Sequence, residues 1–183
     1  YNTTEERFRL RESIVSLSLV DGNNSIVNRT YGSTTLKIRV FDVESNTYPT
    51  GVNVSFYVTH DNVNYQFDLL AQSDTSGYVA YSFSPDCSYS VGLQYWKAGV
   101  TDSCYIDVNT SDYTTTIVGW LRNNITSTNG EKYLRGEDNI LLRGHIKDEC
   151  GVSITAADVT FKAISVTTGQ EFTCIPTQEE GSG

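Results

Sequence analysis

The chain has 183 residues, room for one large β-domain or two small ones, and carries 13 Lys and Arg against 22 Asp and Glu, a formal net charge of −9, with only two His. Such an acidic surface gives phosphate backbones and anionic lipid little to hold, which argues against nucleic acid and membrane surfaces as partners. Charged residues make up 19%, below the usual quarter, and Ser, Thr, Asn and Tyr take their place, a polar uncharged surface of extracellular type.

Residues 1–12, YNTTEERFRLRE, read as a polar lead-in with one short alternating stretch at Phe8 and Leu10. Ile14 to Val20 form the first convincing strand, and Asp21-Gly22-Asn23-Asn24 is a turn. Leu36, Ile38 and Val40 alternate with Lys37 and Arg39, the clearest amphipathic strand in the chain. After the loop 45–51, Val52, Val54, Phe56 and Val58 alternate again, and Asp61-Asn62-Val63-Asn64 turns into Tyr65-Gln66-Phe67. Asp74-Thr75-Ser76-Gly77 is a turn because Asp bonds its own backbone and Gly accepts positive φ. Val79, Tyr81 and Phe83, then Val91, Leu93 and Tyr95, then Cys104, Ile106 and Val108 complete three more alternating runs. No stretch has a capped helical period, so the fold class is all-β.

Two segments recur. Val52-Asn53-Val54-Ser55-Phe56 returns as Ala157-Asp158-Val159-Thr160-Phe161, and Leu36 to Asp42 resembles Leu141 to Asp148, with 148 − 42 = 106 between the Asp residues. The second copy has counterparts for the early strands and none for residues 73–108. The expected division is therefore a lead-in at 1–12, one β-domain at 13–111 and a second, incomplete one at 112–183. An unfinished sandwich leaves an open edge, and residues 1–12 of a neighbour are a candidate donor strand for it.

None of the four Cys forms a CxxC pair and neither His lies at ligand spacing from a Cys, so structural zinc is set aside. Two disulfides are expected, and of the three possible connectivities the local one, Cys87–Cys104 with Cys150–Cys174, is favoured. Six N-x-[ST] sites, at Asn2, Asn23, Asn28, Asn53, Asn109 and Asn124, point to a secreted glycoprotein; Asn53 lies inside a strand and qualifies only if its face is exposed. The chain has no Met, no signal peptide and no apolar run long enough to span a bilayer, and is expected to be a mature or excised piece.

Pro49-Thr50-Gly51-Val52-x-Val54-x-Phe56, Ser73-Asp74-Thr75-Ser76-Gly77-Tyr78-Val79-Ala80-Tyr81-Ser82-Phe83 and Tyr89-Ser90-Val91-Gly92 together resemble the tandem immunoglobulin-like repeats (Big/invasin-like) of prokaryotic surface proteins. The likeness covers about residues 12–110 well and 114–175 in part. The stretch Cys87…Trp96…Cys104 departs from the bacterial versions and is similar to repeats in long archaeal surface glycoproteins. The resemblance implies two antiparallel β-sandwiches acting as spacer, adhesive stalk, envelope or fibre subunit, with neighbouring repeats or copies of itself as partners. It implies no enzyme and carries no functional residue across.

The residues themselves offer no catalytic constellation. No nucleophile elbow is present, and the carboxylate pairs Glu5-Glu6, Asp148-Glu149 and Glu179-Glu180 fall in loops or tails, where solvated charge explains them. His60 and His145 read as solvent-facing or rim residues. No cofactor is expected; calcium is the one ion the loops suggest, at Asp61-Asn62-Val63-Asn64, at Asp107, Asn109 and Asp112, and at Glu137-Asp138-Asn139, none with the spacing of a known calcium loop. Tyr89, Tyr95, Trp96 and Tyr105 form the remaining binding candidate, a cluster for surface glycan or a host protein; the competing reading puts Trp96 in the core against a disulfide.

Overall fold

Strand alternation places one face of each ribbon on a core and the other in solvent, and the computed structural model, which describes residues 11–127, 130–134, 136–174, 177–178 and 180–181, is all-β throughout. The chain rises along β1 (Val15–Asp21), breaks at a turn, and continues as β2 (Ser25–Asn28). Gly22 makes the break: its φ is +95°, and a Cβ there would lie 2.7 Å from the Thr35 carbonyl oxygen, so only glycine lets the two segments pass so close to their neighbour. The break moves the chain from one sheet to the other.

β3 (Thr34–Asp42), β4 (Asn53–Thr59), β5 (Tyr65–Gln72), β6 (Tyr78–Phe83), β7 (Gly92–Val100), β8 (Val108–Asn109) and β9 (Tyr113–Val118) follow. They form two sheets, β1-β3-β6 and β2-β9-β7-β4-β5, with β8 lying beside β7. All pairings are antiparallel except β2 with β9, which is parallel. Leu36, Ile38, Val40, Val79 and Phe83 from the first sheet meet Val54, Phe56, Val58, Trp96, Ala98, Val100 and Ile117 from the second in one buried core.

The two ends of this sandwich lie at opposite poles. Ser13 bridges to Tyr105, beyond the end of β7, whereas at the other end of β9 Ile117 pairs with Gly92, the first residue of β7. A strand of nine residues spans about 30 Å, which separates the poles.

The first compact unit closes at Val118 and the second begins at Gly119, later than the boundary at 111/112 expected from sequence. The difference is β9, which completes the larger sheet by lying between β2 and β7.

The second unit contains β10 (Leu121–Ile125), β11 (Gly144–Asp148), β12 (Phe161–Ile164) and β13 (Glu171–Cys174), paired as two antiparallel ribbons, β10-β11 and β12-β13. Its registers repeat those of the first unit. Val15↔Asp42 through Leu19↔Ile38 return as Leu121↔Asp148 through Ile125↔Gly144, an offset of 148 − 42 = 106. Phe56↔Leu69 returns as Phe161↔Cys174, an offset of 174 − 69 = 105. The turn chemistry returns too: the Asp42 carboxylate accepts the Glu44 and Ser45 N–H groups, and that of Asp148 accepts those of Cys150 and Val152.

The cysteines depart from expectation. Cys87 and Cys150 are disulfide-bonded, while Cys104 and Cys174 are free, so neither local pair forms. Cys87 precedes β7 and Cys104 follows it, so one long strand holds the two sulfur atoms at opposite poles, far outside the roughly 7 Å Cα separation a disulfide tolerates. Cys174 lies opposite Phe161 at the end of its own ribbon, in a different sheet from the turn that holds Cys150.

Candidate functional site

The four aromatics proposed as a binding cluster do not converge. Trp96 is wholly buried, donates from Nε1 to the Gly22 carbonyl at 3.0 Å, and packs against Phe56 and Tyr113 with ring centroids 6.3 and 4.8 Å away. Tyr95, its neighbour, faces the other side of β7 and is half-buried. Tyr89 is buried at the pole where β7 starts, and Tyr105 sits half-buried at the opposite pole. Alternation along a single strand is the reason: adjacent residues cannot share a face.

In place of that cluster stands a polar clasp organised by Asp68. On β5 the register jumps from Phe56↔Leu69 to Tyr57↔Phe67, leaving Asp68 as the extra residue of a β-bulge. A bulge re-aims a side chain, and this one turns the carboxylate inward, where it is almost wholly buried. It accepts the Tyr89 hydroxyl at 2.7 Å and the Tyr81 hydroxyl at 3.3 Å, with His60 Nε2 at 3.5 Å. The His60 ring stacks on Tyr89 at 3.8 Å, and Arg29, also buried, donates to the Tyr89 carbonyl at 3.0 Å. β5 and β6 are edge strands of different sheets on the same flank, so the clasp laces that flank shut. Burial, then the Asp68 carboxylate, push the Tyr81 hydroxyl up to about 12, and Tyr89 rises for the same reasons. Nothing in the sequence marks the bulge, because Asp68 reads there as one polar residue in an alternating run.

Two cation–aromatic groups cover the outer faces. On the smaller sheet the Arg39 guanidinium lies 3.4 Å over the Tyr48 ring and 4.6 Å from that of Tyr78, with Lys37 4.3 Å over Tyr78. On the larger sheet Tyr57 and Phe67 are cross-strand partners with rings 6.0 Å apart, and the Lys97 ammonium sits 4.2 Å over Tyr65. Phe67 is 59% exposed. The Tyr65 hydroxyl is buried without a hydrogen-bond partner; burial raises its pKa, and the Asp112 carboxylate beside it, short of bonding geometry, adds to the rise. Reading the residues between the core positions of β4 and β5 as a second face is the signal that finds this group.

The other predicted residues are accounted for locally. Asp61 accepts the Val63 and Asn64 N–H groups and the Asn64 amide, bonds that hold its carboxyl down at about 2 and make it a turn former. Asp74 is lowered by the Tyr78 and Ser76 N–H groups, Asp86 by Ser88, and Asp102 by the Cys104 N–H. His145 meets the Ser153 hydroxyl at 2.9 Å, and His60 is held half-buried at the rim of the clasp. Among the described residues no three His, Cys, Asp or Glu side chains gather as a metal-ligand set. Asn23, Asn28, Asn109 and Asn124 are exposed; Asn53 is half-buried, with its Oδ1 accepting from Gln72; Asn2, and all but the last two residues of the donor strand expected at residues 1–12, lie outside the described residues. Arg11, Ser13, Asp42, Cys104 and Tyr105 line a shallow hollow at the pole where the chain enters.

Fold and surface together define a class, an all-β protein whose first unit is a two-sheet sandwich, with disulfide-bonded cysteines. No protein-family model matches the chain, and no curated protein matches it significantly.

Proposed function

We propose that the chain is a structural module of an extracellular surface protein, a spacer or stalk segment made of immunoglobulin-like sandwiches. The observation that carries this reading is the geometry of the chain ends in the first unit. The polypeptide enters at one pole and leaves at the other, and its early strand β2 runs parallel to its last strand β9, from Ser25↔Thr115 to Asn28↔Val118. Tension along the chain pulls β2 from its first residue and β9 from its last, in opposite directions along their shared ladder. The hydrogen bonds between them are then sheared together instead of opened one by one, which is what a load-bearing spacer requires. Two sheets of mostly antiparallel strands closed on one core support an immunoglobulin-like reading. Four exposed sequons and two disulfide-bonded cysteines suit an oxidising, glycosylating compartment.

Stretching the chain through its two ends tests this. The first unit is expected to give way in a single high-force event, and Ile26→Pro, which removes an N–H from β2 at a side chain already 72% exposed, is expected to lower that force. Gradual extension at low force contradicts the reading.

A second reading, a binding module for carbohydrate or a protein partner, rests on the outer face of the larger sheet. Tyr57, Tyr65, Phe67 and Lys97 replace the earlier cluster there, with exposed ring surface suited to stacking. Glycan binding that is lost in Phe67→Ala, with the circular dichroism spectrum unchanged, favours this reading; absence of any binding by the parent chain removes it.

A further inference from the structure

The matched registers of the two units also say what the second one is prepared to receive. In the first unit β3 is flanked by β1 and β6, and β4 by β5 and β7. In the second, β11 has a counterpart of β1 and β12 a counterpart of β5, but no third strand joins either ribbon among the described residues. β11 begins late in the stretch that a third strand would hold. β6 holds β3 over Thr34–Arg39, whose counterparts are 140–145, and β11 begins only at Gly144. β7 holds β4 over Val54–Val58, whose counterparts are 159–163. Beyond Asp148 the chain folds back, with the Ile154 N–H donating to the Ile146 carbonyl, just as the first unit turns at Asp42 and Thr47 before β6 arrives.

Burial follows the same pattern. Leu36, Val54, Phe56 and Val58 are 0% exposed, whereas their counterparts Leu142, Val159 and Phe161 are half-buried and Ala163 is exposed. Ile140 and Leu141, in the stretch that β6 would cover, are also exposed. These positions have the chemistry of a sandwich interior and, among the described residues, lack the strands that would close it.

We infer that residues 140–145 and 159–163 form a strand-accepting site, and that its occupant is a pair of antiparallel strands with the chemistry of β6 and β7, contributed by a separate partner polypeptide. The first strand adds beside β11 with an uncharged Val-x-Tyr-x-Phe alternation; the second adds beside β12 and brings a large aromatic residue over Phe161, as Trp96 lies over Phe56 in the first unit. Backbone hydrogen bonds supply the affinity and the alternating side chains the selectivity. Occupation extends β11 back to Ile140 and β12 back to Asp158.

A synthetic peptide copying residues 77–100 of this chain, with Cys87→Ser, tests the site when added to the isotope-labelled full chain. The expected result is saturable binding, with amide shifts and new exchange protection concentrated at 140–145 and 158–163. The same peptide N-methylated at alternate backbone positions is expected not to bind, a control that leaves the protein unaltered. Phe161→Ser is expected to weaken binding at least about ten-fold and Val166→Ser, at a fully exposed position, to leave it unchanged. Absence of binding, or shifts confined to residues 11–118, overturns the inference. So does the same protection appearing without peptide as protein concentration rises, which would make a second copy the occupant.

Discussion

Trp96→Ala is expected to cost the first unit about 3–5 kcal/mol, the range for truncating a large buried aromatic side chain. Trp96 is fully buried between Phe56 and Tyr113, and its indole N–H is bonded to the Gly22 carbonyl at the point where the chain changes sheets. Truncation therefore opens a cavity in the core and loosens the break that separates β1 from β2. Trp96→Phe keeps much of the volume and should cost less, because the Gly22 carbonyl still accepts the Ser25 hydroxyl. Urea unfolding followed by circular dichroism checks both, with the midpoint falling and the slope unchanged. A loss below about 1 kcal/mol for the alanine variant would mean that the indole is not part of the core.

Asp68→Ala is expected to cost about 2–6 kcal/mol, because two tyrosine hydroxyls are left buried without an acceptor, each at about 1–3 kcal/mol. Combined with Tyr89→Phe the losses should be clearly less than additive, since the second change removes one of the orphaned donors. The clasp also gives an alkaline signature. Tyr81 and Tyr89 have folded-state pKa values above their unfolded value near 10, so the stability they contribute is complete below pH 10 and is lost as pH rises through about 12 for Tyr81. The slope should be shallower in Asp68→Ala, where the carboxylate no longer adds to the effect of burial. Stability independent of pH between 10 and 12 would count against the clasp.

Much of the fold is legible in the residues. Alternation in Leu36–Val40 and Val52–Val58 fixes the core faces of β3 and β4, and the repeat between Asp42 and Asp148 reappears as paired registers. What is not legible depends on pairing between distant strands. Cys87 and Cys104 look close enough to pair because spacing along the sequence does not show that one nine-residue strand keeps them apart. Tyr95 and Trp96 look like one cluster until the strand that holds them puts them on opposite faces. Asp68 acquires its role only from a bulge, which exists in the ladder with β4 and not in β5 alone. Its counterpart in the second unit, Thr173, sits in a regular ladder opposite Lys162, so the clasp is not repeated there.

Load along the chain is the central claim, and the direction of pulling tests it most directly. The same protein is held once at residues 13 and 118, at opposite poles, and once at residues 13 and 103, which lie at the same pole. The account predicts a markedly higher unfolding force for the first attachment, where β2 and β9 are sheared, than for the second, where strands peel apart in turn. Equal forces in the two geometries, or a lower force for the first, would contradict it.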